Sequence, residues 1–204
     1  GYDNIKQYAD TLNSPSDYGS SVGRYANRIK DGKITIDGVQ YQLRQNDNGN
    51  GAAHCLHGGG NTGWMNKVYD AEQVDAQTLK LTIVAPDGEN GFPGKIMAIT
   101  TYKVTADNTL DITWEAETDK PTIINQTNHN YYNLSGDFTQ PGYDMVLYVN
   151  ADNFTPSDSL YIPTGEIKSV EGTPMDFRTP HAIGDSIKSD FDQIQNATGY
   201  DHNF

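Results

Sequence analysis

The chain has 204 residues, of which 35% are hydrophobic and 20% are charged, with a net charge of −13 and a pI near 4.5. This length suits one large domain or two small ones, and the composition is neither that of a membrane protein nor that of a disordered one. The negative charge repels phosphate backbones and anionic lipid headgroups, so we expect neither nucleic acid nor a membrane as a partner. A neutral ligand such as a sugar would feel little of that field.

Cys55 is the only cysteine. An intrachain disulfide and a multi-cysteine zinc site are therefore excluded, which fits a reducing compartment. The first residues lack the basic start and apolar core of a signal peptide, and no apolar run approaches the roughly 18 residues of a bilayer span. We expect a cytoplasmic protein.

In chain order, the first predicted element is a short helix around residues 5–12. The next is a β-hairpin in "KITIDGVQYQL", Lys33–Leu43, where apolar and polar residues alternate on both sides of Asp37-Gly38. An Asp-Gly pair tolerates the positive φ angles of a type I′ turn, which joins two antiparallel strands with two residues.

Strand periodicity continues through the middle of the chain. "TLKLTIVA", Thr78–Ala85, alternates, and residues 96–117 form a second predicted hairpin around "TADN". The short runs "PTIIN" and "DMVLYVN" add β-branched residues. We predict a single, predominantly antiparallel β domain over residues 1–204, with long loops that carry the function.

Three loop motifs have both a structural and a functional interpretation. In "GRYANRI", Arg24 and Arg28 form either a solvated basic turn or paired donors for oxygen ligands. His54 and His57 have the spacing H-x-x-H, but a zinc site needs further ligands, so one loop histidine and one ligand-facing histidine are the alternative. In "DGENGFPG", Asp87 and Glu89 are either acceptors that stabilise a turn or groups that contact substrate.

The main candidate is His129 in "TNHNYYNLSG". It is either held structurally by neighbouring asparagines or acts as a proton donor, since imidazole exchanges protons near neutral pH. Asn130 and Tyr131 beside it can fix its tautomer or bind hydroxyls. At the end of the chain, "GYDHNF" places Asp201 among aromatic residues, a combination that suits a polyol because carboxylates accept hydroxyl hydrogen bonds and rings cover C–H faces.

Four of these motifs, "GRYANRI", "LHGG", "NHNYYNLSG" and "GYDHNF", occur in the order found in the aldose 1-epimerase (galactose mutarotase) family, and the chain resembles that family over its whole length. The resemblance implies an all-β fold, a large antiparallel galactose mutarotase-like β-sandwich that is incomplete in this chain. It implies interconversion of the α and β anomers of galactose, glucose and related aldoses, without a metal or an organic cofactor.

The resemblance also assigns residues. It makes His129 the general acid, and it assigns substrate contacts to Asn27, Arg28, His57, Asn130, Tyr131 and Asp201. The family's base is a glutamate in a C-terminal segment, and no glutamate here lies in a matching motif, so we assign the base to no residue. The chain is expected to lack the family's first strands and this last segment. A non-catalytic carbohydrate-binding β domain is the alternative, and a purely structural β domain is a third.

Overall fold

The computed structural model describes residues 2–9, 17–51 and 53–204. The chain forms two compact units, Gly1–Asn130 and Tyr131–Phe204. Each unit has its own strands and its own buried apolar residues. The prediction of one domain over residues 1–204 stays a prediction.

The described part of the first unit is built mainly from strands, with a short α-helix near its start. Its elements are α1 (Ile5–Ala9), β1 (Ser21–Val22), β2 (Arg28–Ile29), β3 (Lys33–Ile36), β4 (Val39–Gln42), β5 (Cys55–Leu56), β6 (Asp70–Gln73), β7 (Thr78–Ala85), β8 (Ile96–Val104), β9 (Leu110–Thr118) and β10 (Thr127–Asn128). The predicted helix falls on α1, and the part of it over residues 10–12 lies outside the described residues.

The main sheet has four antiparallel strands in the order β6-β7-β8-β9. The predicted strand Thr78–Ala85 and the predicted hairpin over residues 96–117 are confirmed, the hairpin with one further residue. Ile83 pairs with Ala98 and Ala85 pairs with Ile96, and these four side chains pack with Trp64 into one buried cluster. One face of the sheet is therefore buried, as the alternation in the sequence requires.

The hairpin β3–β4 is also confirmed. Its strands pair from Lys33 with Gln42 to Ile36 with Val39, so that Asp37 and Gly38 form a two-residue turn. Both turn residues have positive φ angles, 50° and 80°, which is the conformation that this dipeptide tolerates.

The β-branched run "PTIIN" forms no strand, because only Asn125 of these residues makes a bridge, an isolated one with Tyr25. Its apolar residue Ile123 instead packs against a second buried cluster, formed by Leu43, Cys55 and Phe92. This β-branched run is therefore an irregular segment whose apolar side chain packs into the core. Burial also raises the pKa of the Cys55 thiol to about 11.

The second unit contains shorter elements. They are β11 (Val146–Leu147), β12 (Asn153–Phe154), β13 (Lys168–Ser169), β14 (His181–Ala182) and the helix α2 (Asp192–Ala197), which the sequence analysis did not predict. The run "DMVLYVN" yields only the two residues of β11, which pair with β14. Four buried side chains form a core cluster in this unit: Phe154, Val170, Met175 and Ile194. No helix in the described part of the chain has the length and apolar character that a bilayer crossing needs.

Candidate active site

Two short strand pairs bring His57 and His129 together, although 72 positions separate them in the sequence. His129 follows β10, which pairs with β1, and His57 follows β5, which pairs with β2. The centres of the two imidazole rings are 5.1 Å apart, and the rings are nearly perpendicular at 85°. Both residues are half-buried. This histidine pair, His57 and His129, is the centre of the candidate site.

Backbone contacts fix the orientation of His57. The amide of Asn27 donates to Nδ1 of His57 at 3.0 Å, and the amide of His57 donates to the carbonyl of Asn27 at 3.1 Å. Because Nδ1 accepts this hydrogen bond, the neutral ring carries its proton on Nε2. His57 is thereby set as a hydrogen-bond donor through Nε2–H.

His57 and Asn27 both have a left-handed backbone, with φ angles of 51° and 62°. This region is unfavourable for residues other than glycine, by about 1–3 kcal/mol each. Such conformations are found often at active sites, where surrounding contacts hold them. Here the reciprocal hydrogen bonds between these two residues hold both.

The turn of His57, Gly58 and Gly59, which we call the histidine loop, lies directly against the "GRYANRI" segment. A Cβ atom on Gly58 would lie 2.1 Å from the carbonyl oxygen of Gly23, and a Cβ atom on Gly23 would lie 2.1 Å from the ring of Trp64. Trp64, only 1% exposed, belongs to the core under the main sheet. The two glycines therefore allow the site loops to stack on the core without an intervening side chain.

Asp17 is the residue at the site that the sequence analysis missed. One ligand atom each of Asp17, His57 and His129 lies within 4.8 Å of the others, and all three residues are half-buried. No motif marks Asp17, because a single acidic residue before a glycine-containing turn is common in any sequence. Only the folded structure shows that a carboxylate faces the histidine pair.

Among the described residues, these three form the group that could hold a metal ion. A divalent ion binds to a lone pair on a ring nitrogen, yet Nδ1 of His57 already accepts the amide proton of Asn27 and Nε2 carries the proton of the neutral ring. The hydrogen bonding of His57 thus favours proton donation over metal ligation. His54, the other histidine of H-x-x-H, is 3% exposed and accepts the amide proton of Asp31 at Nδ1, so it is a buried structural histidine.

A cavity of about 430 Å³ adjoins this cluster. Asp17 and Asn130 line it, together with Tyr8, Tyr18 and Asn66. This volume is within the range of small-molecule sites, roughly 300–1,000 Å³. Residues of these types offer both rings and polar groups, which suits a ligand with apolar and hydroxyl-bearing surfaces.

The two arginines of "GRYANRI" have different environments. Arg28 lies on β2 opposite Leu56 of β5, close to the histidine loop, and its Nε donates to Asp47 at 2.6 Å. Arg24 is 2% exposed, and its guanidinium donates to the carbonyl of Pro93 at 2.7 Å. Burial lowers the pKa of Arg24. Arg24 is therefore a structural residue, while the role of Arg28 as a substrate contact stays a prediction.

Asp87 and Glu89 stabilise their turn. Asp87 accepts from the amide of Gly94 at 2.6 Å and forms an ion pair with Lys120. Both contacts lower the pKa of its carboxyl, the contact with Lys120 more than that with Gly94. Glu89 forms an ion pair with Lys67. Of the two interpretations of "DGENGFPG", the structure supports the turn.

The other predicted site residues differ in their surroundings. Asn130 lines the cavity beside the histidine pair, and its amide donates to Oδ1 of Asn128 at 3.0 Å. Tyr131 and Asp201 belong to the second unit, where both are exposed. Their role as substrate contacts stays a prediction.

The fold and the paired histidines define a class of protein, the all-β antiparallel sandwiches that resemble galactose mutarotase. Galactose 1-epimerase from Lactobacillus acidophilus NCFM superposes on 98% of this chain with a TM-score of 0.83 and 33% identity, and the match covers 57% of that protein's chain. The predicted fold class is confirmed.

The family model described as aldose 1-epimerase matches residues 1–204, and the chain belongs to this family. It is 36% identical over 204 residues to galactose mutarotase from Bos taurus, a match that covers 100% of this chain and 55% of the relative. It is 38% identical over 186 residues to aldose 1-epimerase from Escherichia coli (strain K12), covering 91% of this chain and 52% of the relative. The chain spans about half the length of the curated relatives it matches.

Proposed function

We propose that the protein containing this chain is an aldose 1-epimerase, which interconverts the α and β anomers of aldohexoses such as galactose and glucose. The observation that carries the proposal is the histidine pair, His57 and His129, with their ring centres 5.1 Å apart. The names of the relatives from Bos taurus and Escherichia coli support the same activity.

The proposed reaction is general acid/base catalysis of ring opening. A base removes the proton of the anomeric hydroxyl, and His129 delivers a proton to the ring oxygen as the bond between that oxygen and C1 breaks. The open-chain aldehyde rotates about its C1–C2 bond, and the ring oxygen then attacks the other face of the carbonyl. The proton transfers run in reverse during closure, so no proton or electron is gained or lost overall.

Within this scheme, His57 donates from Nε2–H to the oxygens at the anomeric centre, because its Nδ1 is already bonded to Asn27. Such a preorganised donor stabilises the charge that develops on oxygen in the transition state. Arg28, on the strand beside the histidine loop, adds planar donors. Further sugar contacts are assigned to Asn27, Asn130, Tyr131 and Asp201. The partner is a monosaccharide, no cofactor is proposed, and the location is the cytoplasm.

Polarimetry on freshly dissolved α-D-glucose or α-D-galactose tests this proposal directly. We expect the protein to accelerate mutarotation above the buffer rate, and we expect His129→Gln to reduce kcat by about 10²–10⁴-fold, the usual contribution of a general acid. His181→Gln is the matched control, since His181 is a half-buried histidine in the second unit, stacked on Phe177. It should retain wild-type turnover.

Two results would contradict the proposal. Mutarotation no faster than in buffer would exclude the enzyme, and saturable sugar binding in that case would favour the non-catalytic carbohydrate-binding domain. Near-normal turnover of a folded His129→Gln variant would remove His129 as the acid.

A further inference from the structure

We propose that Tyr102 is a positioning residue for His129 and acts through the side chain of Asn128. The inference rests on the proposed function, because it concerns the acid of that reaction. Its basis is a chain of two hydrogen bonds. The side-chain amide of Asn128 donates from Nδ2 to the hydroxyl of Tyr102 at 3.0 Å, and its Oδ1 accepts from the backbone amide of Asn130 at 3.0 Å.

The direction of these hydrogen bonds follows from the groups themselves. A backbone N–H can only donate, so the end of the Asn128 side chain that faces Asn130 must be its carbonyl oxygen. The NH₂ end then faces Tyr102, whose hydroxyl is the acceptor. The side chain of Asn128 therefore uses both of its ends, and a rotation of this side chain would break both bonds at once.

The bond from Asn128 to Asn130 closes a turn around His129. A side-chain oxygen that accepts from the amide two residues later forms an Asx turn, which mimics a backbone turn. His129 is the central residue of this turn, so the side chain of Asn128 sets the path of the chain through His129. The turn also delivers Asn130 to the wall of the cavity.

The backbone pairing around His129 is short. β1 and β10 have two residues each, and a pair of this size has little stability of its own. The amide of His129 donates to the carbonyl of Ser20 at 2.9 Å, and the carbonyl of His129 accepts from the amide of Gly19 at 3.0 Å. Both partners precede β1, so these bonds tie His129 to a loop. A side-chain bond to a more rigid element would fix its position further.

β8 is that more rigid element. It is an inner strand of the four-stranded sheet, and Tyr102 is paired with Leu79 on one side and with Ile112 on the other. Because side chains alternate along a strand, Tyr102 is on the same face as the buried residues Ala98 and Thr100. The hydroxyl of Tyr102 thus connects the turn around the proposed acid to the core sheet.

The first test removes this hydroxyl in the protein that contains this chain. Tyr102→Phe keeps the ring and deletes the acceptor. We expect kcat to fall by about 5–20-fold, less than the roughly 10²-fold of a 1 Å misplacement, because the backbone bonds of His129 remain. KM should change by less than about twofold, since the acid acts on the transition state. Tyr41→Phe is the matched control, because Tyr41 is another half-buried tyrosine on a strand, and it should match the wild type.

A double-mutant cycle tests whether Tyr102 and Asn128 act as one unit. Asn128→Ala removes both hydrogen bonds, so we expect it to lower kcat at least as much as Tyr102→Phe does. In the Asn128→Ala background, Tyr102→Phe should have no further effect, because the hydroxyl has already lost the amide that it holds. Additive losses would contradict the inference, since the hydroxyl would then act on the reaction independently of Asn128.

A second readout does not depend on activity. Hydrogen exchange at the amide of Asn130, followed by NMR without sugar, reports the Asx turn, because this amide donates to Oδ1 of Asn128. We expect the exchange to be about 2–10-fold faster in Tyr102→Phe than in the wild type, which corresponds to the usual net contribution of one hydrogen bond. Tyr41→Phe should leave the exchange rate unchanged.

The outcomes separate this inference from the proposed function. Absent mutarotation in the wild type would refute the function, while the exchange rates would still decide whether Tyr102 holds the turn. An unchanged exchange rate at Asn130 in Tyr102→Phe would overturn the inference. A raised KM with normal kcat would also overturn it and indicate a sugar contact instead. A lowered urea midpoint with unchanged turnover would make Tyr102 a purely structural residue.

Discussion

The four-stranded sheet β6–β9 and the site loops around Gly23 and Gly58 have the same core residue beneath them, Trp64, but they pack on it in different ways. The sheet covers Trp64 with alternating apolar side chains such as Ile83 and Ala98. The loops approach it with backbone, because their glycines have no side chain there. Apolar residues of similar size can replace each other in the sheet, whereas in the loops a single added carbon atom changes the packing.

The largest effect is expected from adding one methyl group in the loops. Gly58→Ala would place Cβ 2.1 Å from the carbonyl oxygen of Gly23, at a φ of 71°. We expect a loss of about 3 kcal/mol or more in the free energy of unfolding, since overpacking adds to the cost of a left-handed alanine. Urea denaturation of the variant and the wild type measures this loss.

Gly38→Ala is the matched control for this substitution. Gly38 has a similar φ of 80°, but nothing lies within 4 Å of its added Cβ. Only the left-handed conformation is penalised there, so we expect a loss of about 1–2 kcal/mol. Equal losses in the two variants would show that backbone conformation, and not the contact with Gly23, makes Gly58 necessary.

The packing of the loops can also be followed through the alkylation rate of Cys55, which lies on β5 just before the histidine loop. Burial raises the pKa of this thiol to about 11. At pH 8 its thiolate fraction, and hence its alkylation by iodoacetamide, should be on the order of 100-fold below that of an ordinary cysteine. Gly58→Ala should speed the alkylation if it opens the loop, whereas Gly38→Ala should not; equal rates in both variants would argue against a local opening.

The same contrast explains what the sequence could predict. The turn at Asp37-Gly38 and the strand Thr78–Ala85 are encoded by neighbouring residues, through turn chemistry and a period of two, so both were predicted correctly. The β-branched run "PTIIN" forms no strand, because β-branched residues serve burial as well as pairing, and Ile123 is used for burial.

The site shows the limit more sharply. The family motifs identified His57 and His129 as candidates, but the distance between them depends on the pairs β1–β10 and β2–β5, whose strands are two residues long. Such short strands have no readable period. Asp17 carries no motif at all, and its position depends on a turn that is bonded to the backbone of His129.

A moderate effect is expected in the core of the sheet. Ile83 is 5% exposed, and Ile83→Val removes one methyl group from the cluster around Trp64. We expect a loss of about 0.5–1.5 kcal/mol, with mutarotation unaffected. Val84→Ala, on the opposite and exposed face of the same strand, should change stability by less than about 0.5 kcal/mol. A larger loss for Val84→Ala would show that both faces of β7 are packed.

The smallest effect on stability is expected in the turn between β6 and β7, where the side chain of Asp75 bonds to two neighbouring residues. Asp75 accepts from the amide of Gln77 at 2.8 Å and from the hydroxyl of Thr78 at 3.0 Å, and these bonds lower the pKa of its carboxyl. A lowered pKa means that the ionised form stabilises the fold, so the contribution is present above the ordinary pKa near 4 and is lost as the pH falls below it.

Asp75→Ala removes both bonds, while Asp75→Asn keeps an acceptor that does not titrate. At pH 6 we expect the urea midpoint of Asp75→Ala to be lower than that of the wild type, with Asp75→Asn in between. At pH 3 the differences in midpoint from the wild type should be smaller for both variants. A deficit of equal size at both pH values would mean that the carboxylate charge contributes nothing. The conformation of the turn would then be set by the pairing of β6 with β7. Single contacts would matter in the site loops but not at the ends of the sheet.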